Sequence, residues 1–200
     1  MKGRHIQLQS LLTGLGFGLA GFAVNWLKLE LFFHVDLLFG SIPVMLALLR
    51  FGVLSGVVAA LVASSATWFH WGHPWAMVVF TAEVLLVELL RRRRGLSLLT
   101  ADICYWFSAG LFWVWLFYGQ VMGFALQATV MIALKQGVNG IFNALLAQGL
   151  NLLPWSSGSF EREKPALREL LFVSLAALVL VPAVVFAWFS ISSDFNRKVQ

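Results

Sequence analysis

The chain alternates long apolar stretches with short breaks marked by charge, proline or glycine. Apolar segments fall at residues 11–27, 37–49, 53–69, 75–90, 99–118, 124–153 and 170–191. A membrane-crossing helix needs about 20 mainly apolar residues, so the pattern predicts an all-α, polytopic transmembrane bundle of six to seven helices. Several segments are short. The second ends in Leu49-Arg50-Phe51-Gly52 and meets the third through a turn tight enough to demand an antiparallel helix pair. The sixth is longer than one crossing needs, so it should tilt strongly or begin as an interfacial helix. The organisation that follows is a six-helix membrane bundle at 1–153, a linker at 154–169, a final transmembrane helix at 170–191 and the start of an extracytoplasmic segment at 192–200. The linker holds Ser156-Ser157-Gly158-Ser159 and the mixed charges Glu161, Arg162, Glu163 and Lys164, a flexible composition.

Composition strengthens this reading. Hydrophobic residues make up 60% of the 200 positions, charged residues 12%, and mean hydropathy is +0.85; soluble domains carry about a quarter charged residues. The excess apolar surface needs lipid, and the bilayer is the expected partner. A net charge of +5 does not imply nucleic acid, because the cations sit in short clusters between apolar segments, where topology explains them. Lys2, Arg4, Arg50, Arg91, Arg92, Arg93, Arg94, Arg162, Lys164 and Arg168 fall on one set of alternating sides, whereas Lys28, Arg197 and Lys198 fall on the other. The positive-inside rule places the first set in the cytoplasm, with the N-terminus inside and the C-terminus outside. Trp26, Trp68, Trp71, Trp75, Trp113, Trp115 and Trp188 lie near the outer boundary, as an aromatic belt would. The basic start is not followed by a convincing cleavage site, so the first segment is expected to be a retained helix. The single cysteine, Cys104, forms no intramolecular disulfide and is expected to be a packing residue.

Polar residues inside apolar segments are the candidates for function. Gly16-Phe17-Gly18-Leu19-Ala20-Gly21 matches a dinucleotide fingerprint in letters only, since no strand precedes it. Gly14 and Gly18 instead suit close approach of a neighbouring helix, or docking of another subunit. In the sixth segment Lys135, Asn139 and Asn143 recur every four residues and so share a helical stripe, with Gln136 beside it. A charge near mid-membrane costs roughly 2.5–3.5 kcal/mol on insertion scales, so Lys135 needs a partner. Glu83, halfway along the fourth segment, is the first choice and Asp102 the second. These residues form a buried polar network, a polar ligand cavity, or an ion or proton path; the sequence leaves the three open. The connection from Thr67 to Trp75 holds His70 and His73, with His34 and Asp36 on the same side. No fixed metal-ligand spacing defines a site there, so interfacial histidines or a pH-sensitive or ligand-contacting loop are expected rather than a metal. Ser64 and Ser65 should satisfy helix carbonyls. No nucleophile elbow, metalloprotease motif or P-loop is present, so neither catalysis nor a cofactor is expected of this chain. Arg91, Arg92, Arg93 and Arg94 end a helix where cations suit both its dipole and anionic lipid.

Five runs, Asp36-Leu-Leu-Phe-Gly40-Ser-Ile-Pro43, Trp71-Gly-His73-Pro74, Phe80-Thr-Ala-Glu83, Trp115-Leu-Phe-Tyr118-Gly119 and Ala133-Leu-Lys135-Gln136-Gly-Val-Asn139-Gly140-Ile-Phe-Asn143-Ala, carry a resemblance. Together they resemble the N-terminal multispanning region of bacterial membrane sensors, the PAS-containing histidine kinases and the GGDEF or EAL cyclic-di-GMP proteins. The resemblance covers about residues 10 to 153 and is most specific in the Lys-Gln-Asn-Asn segment. It implies a sensory or anchoring module in a bacterial inner membrane, followed in such proteins by an extracytoplasmic domain and cytoplasmic signalling domains, with dimerisation through the parent protein. In size and helix plan the chain is also similar to LytS-type sensor regions and to the substrate-binding S components of energy-coupling-factor vitamin transporters. That likeness implies a small polar ligand held in the bundle.

Overall fold

The computed structural model describes residues 2–27, 29–30, 36–152 and 175. The linker at 154–169 and the segment at 192–200 lie outside these residues, as does the final helix except for Leu175. The described chain is all-helical apart from one two-residue antiparallel bridge. Its elements are α1 (Lys2–Trp26), β1 (Leu29–Glu30), β2 (Asp36–Leu37), α2 (Ser41–Phe51), α3 (Val53–Ser64), α4 (Ala66–Trp71), α5 (Trp75–Arg94), α6 (Leu98–Tyr105), α7 (Leu111–Val114) and α8 (Leu126–Leu152). The π-helical turn Trp106–Gly110 joins α6 to α7 and a second π-helical stretch, Trp115–Val121, extends α7, so that Leu98–Val121 forms one long rod. Among the described residues, four stretches are long and apolar enough to cross a membrane: His5–Trp26, Val53–Trp71, Leu98–Val121 and Leu126–Asn151.

Helices therefore occur at each of the first six apolar segments, but not with the expected lengths. The first begins at Lys2, well before residue 11, because 2–10 holds no proline and its single glycine, Gly3, falls in the first turn. The sixth is one unbroken helix of 27 residues, roughly 40 Å at 1.5 Å per residue. The second departs most: residues 36–40 are not helical, and α2 has only 11 residues. Expected as a helix over 37–49, this segment instead enters as extended backbone that pairs Leu29 with Leu37 and Glu30 with Asp36.

Glycine and serine set the breaks. Gly52 alone separates α2 from α3, with φ of 86°, a left-handed backbone that favours a residue without a Cβ. The expected antiparallel pair results. Ser64 donates to the carbonyl of Ala60 at 2.5 Å and Ser65 to that of Val62 at 2.7 Å, so both hydroxyls satisfy helix carbonyls where α3 gives way to α4.

A close seam joins α1 to α3. A Cβ on Gly14 would lie 2.7 Å from the backbone oxygen of Ser55, one on Gly18 2.7 Å from Val62 Cβ, and one on Gly21 2.6 Å from Ala63 Cβ. The facing surface of α3 is small at Ser55, Ala59 and Ala63, with Val58 and Val62 flanking them. Glycine here buys backbone proximity, as the spacing of Gly14 and Gly18 predicted. Cys104, expected to pack, is exposed on the flank of α6.

Candidate functional site

Gln136, Asn139, Asn143 and Gln148 fall on the buried face of α8, and three of them hold the backbone of other elements. Asn139 accepts from the Leu38 amide at 3.1 Å and donates to the Leu38 carbonyl at 2.9 Å; Asn143 donates to the same carbonyl at 2.7 Å. From the opposite side, Asn25 of α1 accepts from the Gly40 amide at 2.7 Å and donates to the Ala63 carbonyl at 3.0 Å. Residues 38–40 are therefore clamped by three side-chain amides. Buried backbone outside a helix or sheet must find hydrogen-bond partners elsewhere, and these asparagines supply the partners that a helix would have supplied internally. Gly40 is part of the fit, because a Cβ there would stand 2.3 Å from Asn25 Nδ2. Nearer the arginine-bearing end, Gln148 accepts from the Leu99 amide at 2.9 Å, capping an open N–H at the start of α6. Gln136 is buried on the same face.

A second centre lies between α5, α6 and α8. Glu83 is 1% exposed and Asp102 0%. Trp106 donates its indole N–H to Glu83 Oε1 at 2.8 Å, and the Asp102 carboxyl is within hydrogen-bonding reach of Glu83. The Tyr105 hydroxyl donates to the Val79 carbonyl at 2.7 Å. Trp106 fits because α8 has no side chain at Gly140, where a Cβ would lie 2.0 Å from the indole nitrogen.

Glu83 and Lys135 were expected to pair. The structure gives Glu83 a second carboxyl and an indole instead, while the Lys135 ammonium stands 5.2 Å from the centroid of the Trp71 ring, a cation–π distance. Lys135 thus belongs to the end of the bundle that carries the 72–74 turn, not to the carboxyl pair.

At that end the two histidines part company. His70 Nε2 meets the Asn25 carbonyl oxygen at 3.1 Å, with its ring 5.5 Å from that of Trp26. His73 packs edge-on against Tyr118, ring centroids 5.3 Å apart. Partial burial lowers the His73 pKa from the ordinary imidazole value, against a smaller opposing effect of its own backbone hydrogen bond. Trp75, Phe117 and Trp113 stack beside it, with centroids 4.7 Å and 5.6 Å apart. His34 and the Asp36 side chain lie outside the described residues. Among the described residues no three His, Cys, Asp or Glu side chains gather as a metal site would require.

The structure adds Asn25, Trp106, Gly140 and Gln148 to the residues singled out from sequence. Asn25 carried a signal, as a lone amide in an apolar helix; Trp106 carried none, since it sits between Tyr105 and Phe107 in an apolar segment rich in aromatic residues. No family model, curated protein or solved structure matches the chain.

Proposed function

We propose that the chain is the membrane-embedded sensory or anchoring module of a bacterial signalling protein of the histidine-kinase or cyclic-di-GMP type. In this reading residues 1–153 cross the inner membrane six times and residues 170–191 once more, with the N-terminus in the cytoplasm. The distribution of the ten cytoplasmic-side cations against three on the other side supports the orientation. Glu88 holds two of them, Arg91 at 2.9 Å and Arg92 at 2.6 Å.

The observation that carries the reading is the use made of α8. One continuous helix takes the backbone of residue 38 at its middle and the N-terminus of α6 near its C-terminal end, and in sequence it leads directly to the linker. A change in how residues 36–40 sit, whether driven by a small polar ligand or by the membrane, would be felt along α8 and delivered to the segment that follows it. Coupling of this kind needs a rigid element biased at two places, and α8 has that form.

The test is a graft of residues 1–200 in place of the membrane region of a histidine kinase whose extracytoplasmic domain follows its last crossing. Retained kinase output that changes with Asn143→Ala supports a sensory role; retained output indifferent to that change supports anchoring alone. Purification of the native chain in a stable complex with an ATP-hydrolysing subunit would overturn both in favour of a transporter component.

A further inference from the structure

Two acidic side chains in contact, away from water, raise the question of what lies between them. As carboxylates, Glu83 and Asp102 have acceptors only. Glu83 receives one donor, the Trp106 indole, and the two oxygens of Asp102, both buried, receive none from the protein. A hydrogen bond between the two carboxyls therefore exists only when one of them carries a proton.

The surroundings offer no substitute. From α6, Tyr105 faces the pair, but its hydroxyl proton is committed to the Val79 carbonyl. On α3 the glycine at 56 meets α5, and the buried hydroxyls of Ser55 and Ser64 are committed to the carbonyls of Ser10 and Ala60; the buried face of α2 is apolar from Val44 to Leu48. On α8 the charged residue is Lys135, placed over Trp71; on α5 the other acid, Glu88, is bound by Arg91 and Arg92; and His70 of α4 is engaged with Asn25. Two like charges in contact in a low-dielectric interior are strongly disfavoured, and one shared proton removes the conflict while supplying the missing hydrogen bond.

We propose that Glu83 and Asp102 form a proton-binding site that holds one proton between them, and that Trp106 couples its occupancy to α8. The proton comes from and returns to water, leaving the pair with one negative charge when occupied and two when empty. The coupling is steric as well as polar. Trp106 follows Glu83 through its N–H, sits at the start of the π-helical turn Trp106–Gly110, and lies against the bare backbone of Gly140. π-Helical turns interrupt the regular hydrogen-bond ladder and recur at functional positions, so this is a place where α6 can shift register without unfolding. The inference does not rest on the signalling reading, since a bundle with another role would hold the proton in the same place.

Infrared spectroscopy of the full chain in lipid nanodiscs at neutral pH tests it. The expected result is one protonated-carboxyl band per chain, shifted in heavy water, absent from both Glu83→Gln and Asp102→Asn and retained in Glu88→Gln. Both amide variants are expected to fold, because a carboxamide can donate where the proton did. Raising the pH until the band disappears should change tryptophan emission in the wild type and leave it unchanged in Trp106→Phe. The wild-type spectrum decides even if the variants fail to fold: a folded chain with no protonated carboxyl at neutral pH overturns the proposal, and so does a band that survives both substitutions. A missing band together with a melting temperature that rises on adding sodium chloride would assign the site to a bound cation instead.

Discussion

The seam between α1 and α3 and the seam around α8 hold the same bundle by opposite means. The first is built from what is missing: Gly14, Gly18 and Gly21 bring backbone against Ser55, Ala59 and Ala63, and its adhesion is dispersion between closely approaching helices. The second is built from polar groups, with Asn139, Asn143 and Gln148 bonded to the backbone of residues 38 and 99 and Trp106 bonded to Glu83. In lipid neither seam gains from driving apolar surface out of water, so each needs a positive attraction of its own. The difference lies in what can change. A glycine seam has one good packing, whereas hydrogen bonds and a carboxyl pair can be made, broken or protonated.

The substitution expected to do most damage attacks the point where the polar seam borrows the device of the other. Gly140→Ala drives a methyl into the Trp106 indole nitrogen, 2.0 Å from the ideal Cβ. Displacing the ring combines overpacking with loss of a hydrogen bond to a carboxyl, for about 3 kcal/mol in total. In a Trp106→Phe background the clashing nitrogen is gone, and the added penalty of Gly140→Ala should fall below about 1 kcal/mol. Denaturation of the four proteins of this cycle in detergent measures the coupling; equal penalties in both backgrounds would show that Gly140 is not there for Trp106.

Next in size is the clamp. Asn139→Ala removes both contacts to Leu38, but Asn143 still donates to the carbonyl, so one buried N–H is stranded. That costs about 1–3 kcal/mol. Protonated, the carboxyl of Asn139→Asp keeps an acceptor for the Leu38 amide and an O–H that can donate to the Leu38 carbonyl, so at low pH the variant should retain more stability than alanine. Melting temperatures of the two variants, compared at low pH, check the order.

The glycine seam gives the sharpest contrast within one helix. Gly14→Ala meets the backbone oxygen of Ser55 and should cost about 1–3 kcal/mol. Gly16→Ala, two residues away, meets nothing within 4 Å, and the better helix propensity of alanine should leave it neutral or up to about 1 kcal/mol more stable. Similar losses at both positions would mean that α1 packs on another face.

Much of this was legible in the sequence because it depends on local pattern. The six apolar segments up to residue 153 became helices, and the four-residue spacing of Lys135, Asn139 and Asn143 put them on one face of α8. What the pattern could not show was the target of each polar group. Asn139 and Asn143 meet residue 38, about a hundred positions away, because the second segment enters as extended backbone; apolarity alone does not separate Leu37 and Leu38 from the helix that follows. Glu83 meets Asp102 rather than Lys135 because its direction on α5 is fixed by packing against α6, which charge counting ignores. A buried acid beside an acid is a costly arrangement that sequence reasoning rejects in favour of an ion pair, and such exceptions mark places where function is worth seeking.

The smallest predicted effect falls at the end of the bundle, on His73. Burial holds its pKa below the ordinary imidazole value, so the folded chain binds this proton less readily than the unfolded chain does. Above the unfolded pKa of about 6.5 the ring is neutral in both states and contributes no pH dependence. As pH falls through that value the unfolded chain takes up a proton first, and stability declines until the folded pKa is reached. Partial exposure keeps the decline shallow. Phenylalanine at 73 preserves the packing on Tyr118 and has no proton to bind, so His73→Phe should flatten this part of the melting-temperature profile while leaving the infrared carboxyl band of the wild type untouched. A slope that persists in His73→Phe would trace the acid sensitivity to another group, and a band that disappears with it would join the two ends of the bundle into one titrating unit.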